Sequence, residues 1–133
     1  MSSPKTVLII DDDADDISIF IEALSEVDTH TRCIAIDNCE EALKVLQKKN
    51  DDLPHYIFLD LNMPGMNGKE CLKELKKNSQ LKHIPVIIYS TAKRDDEFEE
   101  TRKLGAAHFV TKPSKFSEVK QMLRYVLLRK SEF

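Results

Sequence analysis

Five polar residues stand where an apolar run stops. Asp11 and Asp12 follow Val7-Leu8-Ile9-Ile10, and Asp60 follows Tyr56-Ile57-Phe58-Leu59. Ser90 follows Val86-Ile87-Ile88-Tyr89, and Lys112 follows Phe109-Val110-Thr111. An acid at the end of a buried strand is costly unless something uses it. Carboxylates brought to one point repel each other, so either some take up protons or a cation offsets the charge. Oxygen-only ligands with room for water suit Mg²⁺, and the lack of histidine or cysteine at these run ends argues against zinc. A carboxylate left facing solvent beside such a metal can act as a nucleophile and take up a phosphoryl group. Lys112 as a cation, Ser90 as a hydroxyl and Mg²⁺ would then meet the charge on the phosphoryl oxygens. The chemistry these residue types support is acyl-phosphate formation on an aspartate.

Positioning these groups is the task of five strands alternating with five helices. Val7–Ile10, Cys33–Ile36, Tyr56–Leu59, Pro85–Tyr89 and Ala107–Thr111 read as short buried strands. A helix opens at Ala14 with Asp15 and Asp16 at its positive end, and Asp13 is read as its cap. Its packing stripe is Ile17, Phe20, Ile21 and Leu24. The second helix, capped by Asp37 or Asn38, presents Ala42, Val45 and Leu46, and residues 48–54 link it to the third strand. The third helix presents Cys71, Leu72 and Leu75. The fourth, over Asp95–Leu104, has a thin apolar face of Phe98 and Leu104 and ends at Gly105. The fifth, with Ser114 as a candidate cap, carries Phe116, Val119, Met122, Leu123, Val126 and Leu127. Strict alternation implies a parallel sheet covered on both faces through right-handed crossovers. Among the doubly wound orders, five strands suit 2-1-3-4-5, which sets the ends of strands one and three side by side.

Composition narrows the function classes. At 133 residues the chain is the size of one domain, taken as 1–133 with a core of about 5–129. A net charge of −3 gives no basic face for nucleic acid. No apolar run reaches the length of a membrane span, and Met1–Lys5 is too short and polar for a signal peptide. Three cysteines, Cys33, Cys39 and Cys71, form no CxxC pair, so reduced, mostly buried thiols in a cytoplasmic protein are expected. His30, His55, His83 and His108 are read as solvated, and Met63 and Met66 as loop packing.

Taken in order, these residues resemble the receiver domain of bacterial two-component response regulators, of the single-domain, chemotaxis-regulator-like type, from about Lys5 to Arg129. The resemblance implies a flavodoxin-like α/β fold with the 2-1-3-4-5 order. It also implies a role for each matching residue. Asp11 and Asp12 match the acidic pair that holds Mg²⁺, Asp60 the phosphoacceptor, and Asn62 the residue whose backbone carbonyl completes the metal site. Met63-Pro64-Gly65-Met66-Asn67-Gly68 is similar to the loop after the acceptor. Ser90 matches the switch hydroxyl, Phe109 the switch aromatic, and Lys112-Pro113 the Lys-Pro pair. The implied partners are a sensor histidine kinase or histidine phosphotransfer protein, and a downstream protein target. The partner surface is the fourth helix, fifth strand and fifth helix. With nothing after Phe133, the output is expected to act through another protein, and catalysis is limited to the domain's own phosphorylation and dephosphorylation.

Two positions depart from the pattern. Thr91 stands where the family has a very small residue, and Ala92 offers no polar group to orient an attacking water. Together they lead to an expectation of slow hydrolysis of the Asp60 phosphate. Phe109 in place of a tyrosine leaves its switching role to packing alone. Three rivals remain: a relay intermediate that passes its phosphate to a histidine protein, a phosphatase of the haloacid-dehalogenase type, and a pure docking module, against which the intact acidic site counts. The second wants an acid two residues after the nucleophile, where this chain has Asn62.

Overall fold

The computed structural model describes residues 5–48, 52–91 and 95–128. Ala92, one of the two departures above, lies outside them. The elements run β1 (Thr6–Ile10), α1 (Ala14–Val27), β2 (Arg32–Ile36), α2 (Cys39–Lys48), β3 (Tyr56–Leu59), α3 (Gly68–Lys77), β4 (Val86–Ser90), α4 (Asp95–Lys103), β5 (His108–Thr111) and α5 (Phe116–Leu128). The strands form one parallel sheet in the order β2-β1-β3-β4-β5. The three inner strands are buried along their whole length, as strands covered on both faces must be. β2 and β5 are edges and alternate between half-buried and exposed.

Side chains leave alternate faces of a strand, and here they build two separate cores. Val7, Ile9, Tyr56, Phe58, Ile87 and Tyr89 pack under α1 and α5, where Phe20 meets Phe58 edge-on at 4.9 Å between ring centroids. Leu8, Ile10, Ile57, Leu59, Val86 and Ile88 pack under α2 and α3, with Leu104 and Phe109 at the margin. Met63 is buried in this second core and Met66 packs against it.

Several local expectations change. On α1 the third buried position is Ala23, while Ile21 remains 40% exposed, because the packed stripe is narrower than the hydrophobic one. Asn38 caps α2 through the Glu41 amide at 2.8 Å. α5 starts after Lys115, whose carbonyl accepts from Glu118 and Val119, and Ser114 takes no part as a cap. His55 is exposed but employed: its Nδ1 accepts the Thr6 amide at 3.0 Å.

The largest correction concerns the cysteines. Cys39 and Cys71 form a disulfide, with Cα atoms 5.8 Å apart and a separation of 32 positions in sequence. Both are fully buried where the start of α2 meets α3. Their adjacency is created by helix packing, and spacing along the chain carries no trace of it. Cys33 alone remains a thiol, and burial pushes its pKa up to about 12.

Candidate functional site

The carboxyl ends of β1, β3, β4 and β5 open on the same edge of the sheet, with β4 and β5 running two residues past the level of Ile10 and Leu59. The ladder extends one residue beyond β1, β3 and β5: the Asp11 amide donates to Ile36 O at 3.1 Å and the Asp60 amide to Ile10 O at 3.0 Å. The Lys112 amide donates to Ser90 O at 2.9 Å. These bonds aim the side chains of Asp11, Asp60 and Lys112 into one crevice. Asp11, Asp12 and Asp60 each bring one carboxylate oxygen to within 4.8 Å of the others. Asp11 is fully buried and Asp60 nearly so, whereas Asp12 is exposed and borders the opening.

Lys112 sits at the centre of the negative charge. Its Nζ lies 2.7 Å from Asp11 Oδ2, 2.7 Å from Asp16 Oδ2 and 3.5 Å from Asp60 Oδ2. The contact with Asp16 is a hydrogen bond. The contact with Asp11 is close but misdirected, so that Asp11 Oδ2 is buried without a hydrogen bond. The other oxygen, Asp11 Oδ1, accepts the Asp13 amide at 2.9 Å. Burial pushes the Asp11 pKa up to about 6, against the pull of Lys112 and of the Asp13 amide. Burial works to lower the Lys112 pKa, but the Asp11 and Asp16 carboxylates outweigh it and raise it. Three carboxylates thus share one ammonium, with Asp12 close by at the opening, and one buried oxygen is left without a well-directed hydrogen bond. A divalent cation is the group that donor set fits, because it takes oxygen ligands and needs no hydrogen-bond direction.

The remaining expected residues frame this cluster. Asn62 donates its backbone amide to Asp60 Oδ1 at 3.2 Å and its side-chain amide to Ser90 Oγ at 3.4 Å. Ser90 is completely buried. Thr91 is exposed beyond it. Phe109 is not in the cluster; it lies behind β5's inner edge, 6.0 Å from the ring of Phe98 on α4. Asp13 is the cap of α1, accepting the Asp15 and Asp16 amides, and is no part of the acidic cluster. Beside Asn62 opens a cleft of 410 Å³ lined by Leu61, Asn62, Met63, Asn67, Lys69 and Glu97. Gly68, the first residue of α3, is pressed against the backbone of Asp60 and Leu61, leaving no room for a Cβ. The α3 capping box of Asn67 and Glu70 holds that close approach in place.

Asp16 is the member that sequence reasoning missed. An acid in the first turn of a helix is accounted for by the helix dipole, so it raises no question. The available signal was its position one turn beyond the Asp13 cap, from which a side chain reaches back over the strand end.

Comparisons with known proteins agree with this geometry. A family model described as the response regulator receiver domain matches residues 7–124. The response regulator Rcp1 of Synechocystis sp. is 29% identical over 125 residues, covering 91% of this chain and 85% of that protein. The two-component response regulator ORR13 of Oryza sativa subsp. japonica is 33% identical over 126 residues, covering 95% and 100%. Among solved structures, the Mn²⁺-bound form of Rcp1 superimposes with a TM-score of 0.86 at 28% identity, over 95% of this chain and 96% of that one. The phosphorylated cyanobacterial phytochrome response regulator RcpA gives 0.85 at 28% identity, over 93% and 91%. No helix among the described residues is long and apolar enough to cross a membrane.

Proposed function

The chain belongs to the response regulator receiver family, and from that premise we propose that it is a phosphorylation-controlled switch with Asp60 as its phosphoacceptor. A sensor histidine kinase or a histidine phosphotransfer protein would present a phosphohistidine at the cleft beside Asn62. One Asp60 carboxylate oxygen attacks phosphorus, the phosphorus–nitrogen bond breaks, and its electron pair stays on the imidazole. Asp11, Asp12, Asp60 and the backbone carbonyl of Asn62 would hold Mg²⁺. When bound, that ion neutralises charge on the transferring phosphoryl oxygens and offsets the repulsion among the carboxylates.

This chain's own residues do the rest. The Asn62 amide fixes Asp60 Oδ1, which leaves the other oxygen available. Lys112 is already 3.5 Å from Asp60 Oδ2 and can close on a new phosphoryl oxygen. The Ser90 hydroxyl can turn from Asn62 toward the same group. That turn pulls on the end of β4, next to β5 and the Phe109–Phe98 contact, so the α4–β5–α5 face is the surface that changes for a downstream protein. In this reading the protein works in the cytoplasm, and Thr91 slows hydrolysis of the phosphate by narrowing access to it.

The observation that carries the reading is the meeting of Asp11, Asp12, Asp60 and Lys112 at one strand-end crevice, with one buried carboxylate oxygen left without a hydrogen bond. The test is incubation of the protein with acetyl phosphate and Mg²⁺, followed by intact mass. One added phosphate is expected, lost in Asp60→Asn and lost with EDTA. Labelling that survives Asp60→Asn, or steady turnover of a phosphomonoester, would overturn the reading.

A further inference from the structure

We propose that Asp16 is a positioning residue for Lys112: a second counter-ion that takes the ammonium off Asp11 when a cation enters, and releases it to the phosphoryl group afterwards. This deepens the switch reading above and rests on it. The reasoning begins with Lys112, whose side chain is 8% exposed and cannot leave its charge to water. A buried ammonium needs a carboxylate beside it throughout the cycle. It has two at 2.7 Å, Asp11 Oδ2 and Asp16 Oδ2, and only the bond to Asp16 has hydrogen-bond geometry.

The two partners have different duties. Asp11 belongs to the trio whose oxygens converge on one point, and Asp16 does not. A divalent cation held by Asp11 would sit close to the Lys112 ammonium and repel it. With Asp16, which stands outside that trio, Lys112 keeps a partner that the cation does not use. Asp16 comes from α1 and Lys112 from the end of β5, 96 residues later, so the bond joins the helix over β1 to the last strand. At 33% exposure the Asp16 side chain also reaches solvent, so it can give Lys112 up at little cost once a phosphoryl oxygen offers a stronger partner. The plainer account, an acid favoured by the α1 dipole, explains a negative charge at this position but not its bond to Lys112.

The test compares Asp16→Asn with Asp15→Asn, which removes the same charge one residue away at an exposed site. Mg²⁺ affinity is measured by calorimetry, and the half-life of the Asp60 phosphate by mass. Asp16→Asn is expected to weaken Mg²⁺ binding by about tenfold more than Asp15→Asn does, because Lys112 then falls back on Asp11. It is also expected to lengthen the phosphate half-life at least about twofold, because Lys112 loses its competing partner. In a Lys112→Met background the same substitution should weaken Mg²⁺ binding no more than Asp15→Asn. An equal Kd for the two Asn variants, an effect that persists without Lys112, or an unchanged half-life overturns the assignment. A wild-type protein that binds no Mg²⁺ or takes no phosphate brings down the switch reading and this inference together, which separates the two failures.

Discussion

Asp11 shows what a single buried carboxylate costs and what recovers that cost. Its pKa of about 6 lies above the ordinary value of 3.8, so between those limits the folded protein binds a proton that the unfolded chain does not. Stability from this group is therefore lost as pH rises through that window, by up to roughly 3 kcal/mol in the metal-free protein. The expected result is that urea midpoints of the wild type in EDTA fall relative to Asp11→Asn as pH goes from about 4 to about 7. Mg²⁺ should restore the wild type and leave the variant unmoved; parallel curves would refute the assignment. At this scale the sequence was informative. Asp11, Asp12, Asp60, Asn62, Ser90 and Lys112 all border the crevice, because each stands within three residues of the end of an apolar run that parallel pairing brings to the same edge of the sheet. Asp16 was not legible, since its role depends on a lysine that arrives from the opposite end of the chain.

Among the elements, α4 is held least by apolar contact. Phe98 is 47% exposed, and the one fully buried side chain among the described residues of the helix is Thr101. Its hydroxyl is turned back on its own helix, donating to Glu97 O at 2.9 Å and Phe98 O at 3.2 Å. Such back-bonding slightly weakens a helix and places a polar group in an apolar seat. The outer tie is ionic: Lys69 on α3 reaches Glu100, a largely exposed partner, at 2.9 Å and the more buried Glu97 only at 4.0 Å. Thr101→Val is expected to stabilise α4 by about 0.5–1 kcal/mol, read as slower amide exchange confined to that helix. If α4 must rearrange on phosphorylation, the same variant should blunt the response of the α4–β5–α5 face. Unchanged or faster exchange would show that the hydroxyl is structural. The sequence disclosed the thinness of the apolar face but nominated Phe98 and Leu104 for it. Threonine is silent to a hydrophobic-pattern reading, which is also why Ala23 was passed over for Ile21 on α1.

For the whole molecule, alternation of strands and helices was enough to give a parallel sheet covered on both faces, because few arrangements satisfy parallel pairing with right-handed crossovers, while the 2-1-3-4-5 order and its switch point came with the resemblance to receiver domains. What alternation could not convey is that the two faces of the sheet are built differently. The core under α1 and α5 rests on packing alone, with Phe20, Phe58 and Tyr89 meeting edge to face. The core under α2 and α3 is closed by Cys39–Cys71 as well. A loop of this length restricts the unfolded chain by about 3–4 kcal/mol, so reduction should lower the urea midpoint by a matching amount, as should Cys39→Ser. A midpoint indifferent to reductant would mean that the bond contributes nothing to the fold.

That bond also decides which amides would respond to the redox state of the surroundings. α2 and α3 flank the loop that carries Asn62 to Gly68, and Gly68 leans directly on the backbone of Asp60. With the sulfurs bonded, α2 and α3 are expected to open only together with the rest of the sheet. With them reduced, those two helices are expected to gain a smaller unfolding unit that α1 and α5 do not share, read as faster amide exchange confined to α2 and α3. The same chain would then be a uniformly cooperative body in an oxidising compartment and, in a reducing one, a body whose looser half is the one that receives the signal.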